Sequence, residues 1–397
     1  MITSFHVENY KALRDVKLDL TPMHVLIGPN DSGKTSILEA LAALCRSVTS
    51  PLEDAFAGPW TGRELVWYGS REPVVTLGVQ FDSTSALHSY GFSCRFGNTE
   101  RTVRLISERG TTREDVVVEF QSANFDRTQV ARINRDNEGA STDLMAASSV
   151  VCDLLQGPQT YRWVPKQLGL PVAPDVKRRF QMESTGFGLA LCLDDILSYD
   201  RDRFGELERR FQSVFPQVKS LKLIQESAYK APIDNRSQVL MLQRSDGKGL
   251  FFQFSGSAEI VPASQVSDGL LLVLAYLTIL YLPEPPRVLL IEEPENGIHP
   301  ARLEQVLGIL RDLVREQSRT QVVLTTHSPY VVDQFRPDEV TLCSKEPDGA
   351  VRVRRLSESR TVREQMKVFT LGEIWTGEGD DILMEKAIDE IVPEPVK

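Results

Sequence analysis

Cysteine is scarce in this chain, and no two of its five cysteines form a Cys-x-x-Cys pair. Cys45, Cys94, Cys152, Cys192 and Cys343 are odd in number and widely spaced, which excludes zinc-ribbon spacing and argues against a disulfide framework. Buried free thiols are the expectation. Histidine is equally sparse: His6, His24, His88, His299 and His327 are dispersed, so spacing gives no support to a histidine-based zinc site. No window reaches the ~18 consecutive apolar residues that a membrane helix needs. The longest apolar run, near Leu270–Leu282, is interrupted by Thr278. The first residues, Met1-Ile2-Thr3-Ser4-Phe5-His6, lack a basic stretch followed by an apolar core, so no signal peptide, no membrane contact and a cytoplasmic location are expected. Internal repeats, low-complexity tracts and long heptad runs are also missing.

Positive charge is in deficit, with 45 Lys and Arg against 55 Asp and Glu, a net charge of −10. A protein that coats nucleic acid over its whole surface is usually basic, so broad binding is disfavoured while a local basic groove is not. Lys177-Arg178-Arg179 and Arg352-Val353-Arg354-Arg355 are the candidates, with a solvated charged face as the plainer alternative. Apolar residues at 41% and charged residues at 25% place the chain among globular proteins.

The two ends are alike in pattern. His6–Glu8 and Val16–Leu20 alternate as strands do, and Met23–Ile27 is a short apolar run of the kind found in buried strands. A glycine-bearing loop follows, then helical spacing over Thr35–Ser47. Near the other end come a long apolar helix over Asp268–Tyr281, a buried strand over Arg287–Ile291, an amphipathic helix over Ala301–Arg315 and a second buried strand over Val322–Thr325. The middle differs. Val74–Phe81, Tyr90–Phe96, Arg101–Ile106 and Asp115–Phe120 read as an antiparallel meander. Residues 142–156 and 187–214 read as helical, and Pro158–Pro174 as irregular. Leu221–Ile224, Val239–Leu242 and Leu250–Phe254 are further strand candidates. The expected architecture is α/β, with a discontinuous head from residues 1–130 and 220–397 and a mainly helical insertion at 131–219.

Gly28-Pro29-Asn30-Asp31-Ser32-Gly33-Lys34-Thr35 fits G-x-x-x-x-G-K-[ST], between an apolar strand and a helix, with Ser36 next. Glycines let the backbone turn and approach phosphate oxygens, and successive N–H groups with the helix N-terminus add positive partial charge. Lys34 brings a full charge toward the β and γ phosphates, and the Thr35 hydroxyl can ligate Mg²⁺. This chemistry also needs a carboxylate near the metal and often a second to polarise water. Val288-Leu289-Leu290-Ile291-Glu292-Glu293 supplies both at a strand end, where alternation would aim Glu292 and Glu293 to opposite faces.

Ser267-Asp268-Gly269 precedes the long apolar helix, giving a hydroxyl and exposed N–H groups at a helix start. Ser and Asp are also routine caps there. Leu324-Thr325-Thr326-His327-Ser328-Pro329 ends a buried strand, and His327 could reach a γ-phosphate or be purely structural. The order of the four features carries more weight than any one of them.

At these residues the chain resembles the ABC-type ATPase heads of the SMC/RecF/OLD group, most of all its OLD-like branch (overcoming lysogenisation defect), many of whose members are linked to anti-phage defence. The matching strings are GPNDSGKTS, VSDGLLLVLAYL, LLIEEPENGIHP and VVLTTHSP, together with the opening FHVENYKALRDVKLDL. They cover roughly residues 1–50 and 220–345. The resemblance implies a P-loop NTPase fold of ABC-head type with an antiparallel β subsheet and a helical insertion. It implies ATP and Mg²⁺ as cofactors and a homodimer or higher oligomer in which two heads enclose two ATP molecules. Gly28 to Ser36 of one copy and Ser267, Asp268 and Gly269 of the other would share each nucleotide. Glu293 would be the general base, Glu292 and Thr35 would hold Mg²⁺, and His327 would sense the γ-phosphate.

The departures from the family pattern are Glu292 where many heads carry Asp, and Leu270 where Gln often follows the signature glycine. No Gln lies in residues 37–73 to sense the metal, so slow turnover or a water in the metal shell is expected. OLD nucleases carry a TOPRIM domain after the head. Gly377-Glu378-Gly379-Asp380-Asp381 faintly resembles its opening, but an acidic helix is the expectation, with no intrinsic nuclease. The implied function is an ATP-hydrolysing switch of an anti-phage system that controls a separate effector, a nuclease among the candidates. The alternative is a RecF-like, ATP-dependent DNA-binding protein of DNA repair or maintenance.

Overall fold

The structure is a computed structural model that describes all residues except 59, 83–86, 99–101, 113–116, 120–125, 137–140, 156, 176–178, 231–240, 317–319 and 386–397, with backbone alone at 117–119, 136, 143 and 241–245. The chain divides into two compact units, Met1–Phe56 with Trp60–Gly157 and Val323–Lys397, and Ala57–Pro59 with Pro158–Val322. The expected strand residues Arg101, Asp115, Val116, Phe120, Val239 and Leu240 and the expected helix residue Gln156 lie outside the described residues, as do Lys177 and Arg178.

The first unit opens with strands β1 (Ile2–Tyr10), β2 (Leu13–Asp19) and β3 (Met23–Ile27), then helices α1 (Lys34–Ser47) and α2 (Leu52–Ala55). Strands β4 (Val74–Phe81), β5 (Leu87–Phe96), β6 (Val103–Thr112) and β7 (Val117–Glu119) follow, then helices α3 (Gln129–Asp136) and α4 (Thr142–Leu155). Six strands form an antiparallel sheet in the order β2-β1-β4-β5-β6-β7. Strict alternation of buried and half-buried residues along β4 shows one face turned to the core. Helix α1 instead buries Ile37, Leu38, Leu41, Leu44 and Cys45 together with Ala40, Ala42 and Ala43, so it is enclosed on most sides.

In the second unit, β8 (Gln159–Tyr161) and the short helix α5 (Pro165–Leu168) stand in the stretch expected to be irregular. Helices α6 (Leu189–Tyr199) and α7 (Arg201–Val214) then break the expected 187–214 helix in two. The cause is Asp200, whose extended backbone ends α6 and whose carboxylate accepts from the N–H groups of Asp202 (3.0 Å) and Arg203 (3.1 Å), capping α7. Strands β9 (Val218–Lys230), β10 (Met241–Phe254) and β11 (Ile260–Pro262) form an antiparallel sheet with β10 central. Polar residues Asp246 to Gly249 stay paired with β9, which makes one strand of what composition splits in two.

Helix α8 (Asp268–Leu280) is buried at every position from Leu270 onward. It leads to β12 (Val288–Glu292), which pairs parallel with β8, and to α9 (Pro300–Glu316), whose buried residues include Leu303, Val306, Leu307, Leu310 and Leu313. The unit boundary falls inside β13 (Gln321–Thr325).

The chain re-enters the first unit through the end of β13, then forms α10 (Pro329–Val332), the antiparallel hairpin β14 (Val340–Lys345) and β15 (Val351–Arg355), and the helices α11 (Arg360–Gln365), α12 (Leu371–Glu378) and α13 (Asp380–Met384). Here the order is β15-β14-β3-β13, with β14 parallel to β3. Both β3 and β13 are buried at all five positions, as strands covered on two faces are. The acidic stretch near Gly379 is helical on either side of that glycine, whose φ of 81° separates α12 from α13. All five cysteines are buried free thiols.

Candidate functional site

The loop between β3 and α1 is built from left-handed backbone. Gly28 has φ 134°, Asp31 67° and Gly33 88°. The glycines have a role beyond phosphate approach. A Cβ on Gly28 would stand 2.1 Å from the Cys343 carbonyl oxygen, and one on Gly33 would stand 2.4 Å from Val351 Cγ2. The β14–β15 hairpin therefore supports the loop from below and requires glycine at both points. Asp31 adds a tie, its carboxylate accepting from Lys345 Nζ at 2.5 Å.

Lys34 is buried, and its ammonium donates to the carbonyls of Gly28 (2.9 Å) and Pro29 (2.8 Å) and to Ser32 Oγ (3.2 Å). Its charge is drawn over the loop toward three neutral oxygens. Helix α1 starts at Gly33 without a side-chain cap, and its first turn holds no acid. A cation, a helix N-terminus and a glycine-bounded loop together make an anion cradle, and a phosphate group fits it. Pro29, Asn30 and Thr35 are exposed and Ser36 is half-buried, so the outer rim is open to a ligand.

Within the same unit, the Thr326 N–H donates to the Leu26 carbonyl at 3.1 Å, which sets the exit of β13 beside β3, the strand that feeds the loop. The Thr326 hydroxyl accepts from the Ser328 N–H at 3.0 Å and fixes the turn that carries half-buried His327. His24 serves a different purpose. It is buried between Thr21 and Thr341, and burial pushes its imidazole down to about 3, so it stays neutral.

The carboxylates and the signature segment lie in the second unit. Glu292 ends β12 with its side chain 12% exposed, and its Oε2 lies 3.7 Å from Arg162 Nη1. Glu293 is no longer in the strand: its φ of 49° turns the chain, and Asn296 Nδ2 donates to its Oε2 at 2.6 Å. Simple strand alternation therefore does not orient Glu293; a left-handed turn and an amide do, a strained conformation of the kind that clusters at functional sites. Ser267 is the N-cap of α8 but makes no side-chain cap bond, and both it and Asp268 are exposed. A Cβ on Gly269 would lie 3.6 Å from the Gly297 carbonyl, so this helix start and the loop after Glu293 are neighbours. Leu270, one of the departures from the family pattern noted in the sequence, is buried in the α8 core.

The basic strand candidates point elsewhere. Arg352 donates to the Met384 carbonyl, Arg354 to those of Glu385 and Glu358, and Arg355 to that of Asp19. These guanidinium groups pin neighbouring backbone. Arg162 is a residue that sequence reasoning missed, since it follows a three-residue strand and no spacing marks it.

Two family models match the chain. One is described as "AAA ATPase domain" and covers residues 1–126. The other is described as "AAA domain, putative AbiEii toxin, Type IV TA system" and covers 197–333. An ATP/GTP phosphatase of Helicobacter pylori (strain ATCC 700392 / 26695) is 22% identical over 348 residues, covering 84% of this chain and 87% of that protein. An OLD nuclease of Thermus scotoductus (strain ATCC 700910 / SA-01) is 22% identical over 367 residues, covering 89% of this chain but 64% of the nuclease. Among solved structures, the crystal structure of an Smc head bound to the C-winged helix domain of ScpA aligns with a TM-score of 0.53 at 15% identity, covering 92% of this chain and 99% of that one.

Proposed function

We propose, from the premise that the chain is an SMC/OLD-like ABC-type ATPase head, that it works as a nucleotide-dependent switch. ATP binding brings two heads together and hydrolysis releases them. The observation that carries this reading is the loop at α1, where buried Lys34 gathers three oxygens at a helix start that has neither side-chain cap nor first-turn acid.

In this reading the N–H groups from Gly28 to Ser36 receive the phosphates, and Lys34 exchanges its loop carbonyls for phosphate oxygens. The Thr35 hydroxyl and the Glu292 carboxylate are hard oxygen donors of the kind Mg²⁺ takes. Bound Mg²⁺ would neutralise charge on the β and γ phosphates. Glu293, turned out of its strand and held by Asn296, accepts a proton from the attacking water. His327 meets the γ-phosphate. Ser267 to Gly269 offer a second helix N-terminus to the nucleotide of a partner copy. Residues 1–130 and 220–397 act as the head in this scheme, with 131–219 as the insertion.

A separate effector chain reads the switch, and a nuclease in an anti-phage system is the favoured candidate. The AbiEii-like family description and the OLD nuclease relative support that assignment. The test is mass measurement in solution with and without ATP for the wild type and Glu293→Gln. Glu293→Gln should hold ATP and persist as a dimer. A chain that stays monomeric in saturating ATP with either sequence refutes the switch. Binding of duplex DNA that depends on ATP and falls steeply with salt would instead favour the RecF-like reading.

A further inference from the structure

Beside the proposed metal ligand Glu292 stands a cation that the functional reading leaves unused. Strand β8 pairs parallel with β12 in the register Leu289↔Gln159, Leu290↔Thr160, Ile291↔Tyr161. One step further along each strand are Glu292 and Arg162. The backbone of Arg162 is fixed: its N–H donates to the Ser184 carbonyl at 2.8 Å, and the N–H of Val164 donates to that of Thr185 at 2.9 Å. Between them Trp163 packs on Tyr161 and Tyr276, with ring centroids 5.1 and 4.3 Å away. The Arg162 side chain is nonetheless 67% exposed, whereas that of Glu292 is 12% exposed.

The asymmetry has a chemical consequence. A largely enclosed carboxylate needs a cation close by, since removing charge from water is costly. An exposed guanidinium at 3.7 Å meets that need through a weak ion pair and can withdraw into water at little cost. A divalent ion arriving with ATP would seek the same oxygens. We infer that Arg162 is a positioning residue that competes with Mg²⁺ for Glu292, and so sets the Mg²⁺ concentration at which the chain binds ATP tightly. The inference rests on the proposed assignment of Glu292 as a metal ligand.

The test is calorimetric titration of the full chain with ATP at a series of fixed Mg²⁺ concentrations. Arg162→Ala should lower the Mg²⁺ concentration for half-maximal tightening by roughly two- to fivefold, the scale of a largely exposed ion pair. Arg162→Lys, which keeps the charge, should stay near the wild type. ATP affinity in excess chelator should be the same for all three. A requirement in Arg162→Ala that equals or exceeds that of the wild type overturns the inference. Glu292→Gln separates the two levels of the argument. If it leaves the Mg²⁺ requirement unchanged, Glu292 is not a ligand and the underlying assignment fails. If it raises the requirement while Arg162→Ala does not lower it, only the role of Arg162 fails.

Discussion

Three helices of this molecule begin in contrasting ways. The start of α3 is filled: the buried Glu108 carboxylate accepts from the N–H groups of Gln129 and Val130, and Thr128 Oγ1 accepts from the Ala131 N–H at 3.1 Å. At α1 no side chain caps the start, and a lysine stands ready instead. Helix α8 also lacks a side-chain cap, but its Ser267 and Asp268 are exposed and an acid occupies its first turn. The same backbone dipole is thus met by side chains in one place and left without a side-chain cap in two others. Of those two, α1 carries its own cation. At α8 the first-turn acid weakens the pull on an anion, so in the proposed switch that start would make a supporting contact to a nucleotide already held elsewhere.

Lys34→Ala attacks the contrast at its strongest point. Loss of a charge-assisted contact at α1 should reduce ATP affinity by about a hundredfold, read by calorimetry. Unchanged affinity would mean that α1 is not the phosphate site. Next in size, Glu293→Gln should cut ATP turnover by about a hundredfold or more without releasing the nucleotide, as measured by phosphate release beside equilibrium binding.

The secondary role of α8 is sharpened by Ser267→Arg, which should leave ATP affinity close to the wild type but slow turnover by about tenfold. Mixing that variant with Lys34→Ala should restore part of the lost turnover, because one intact composite site reforms in the mixed dimer. No recovery would place both residues on the same nucleotide of a single copy.

The smallest effect belongs to the filled start. Burial raises the Glu108 carboxyl from its ordinary 4.5 to about 7, with the N–H groups of Gln129 and Val130 and the Tyr90 hydroxyl working in the opposite direction. A value raised by folding favours the folded chain below pH 4.5, and that contribution is lost as the pH climbs through 7. Thermal midpoints measured from pH 5 to 8 should therefore fall more for the wild type than for Glu108→Gln. Parallel curves would show that Glu108 does not titrate in this window.

Much of this is legible in the sequence alone. Apolar runs with sharp edges, such as Met23–Ile27 and the Val288–Ile291 part of the expected Arg287–Ile291 strand, announce buried strands, and the glycine–lysine pattern between β3 and α1 carries its own chemistry. What escaped depends on distant partners. β8 is three residues long and exists through its pairing with β12, so Arg162 could not be placed beside Glu292 from local pattern. The φ of Glu293 is likewise imposed by the turn that Asn296 completes. Asp200 could have been read as a cap, since Asp ahead of a polar helical turn is a known start signal, but the helical periodicity on both sides concealed the break.

The hairpin beneath the phosphate loop has a further consequence for how the molecule is made. Asp31 and its partner Lys345 are 314 positions apart, and the contacts that Gly28 and Gly33 require come from Cys343 and Val351. At ribosomal speeds the later residues emerge roughly 15–60 s after the loop itself. Throughout that interval a growing polypeptide carries the glycine–lysine loop without the hairpin that shapes it, so the loop takes its form only after Val351 has been made.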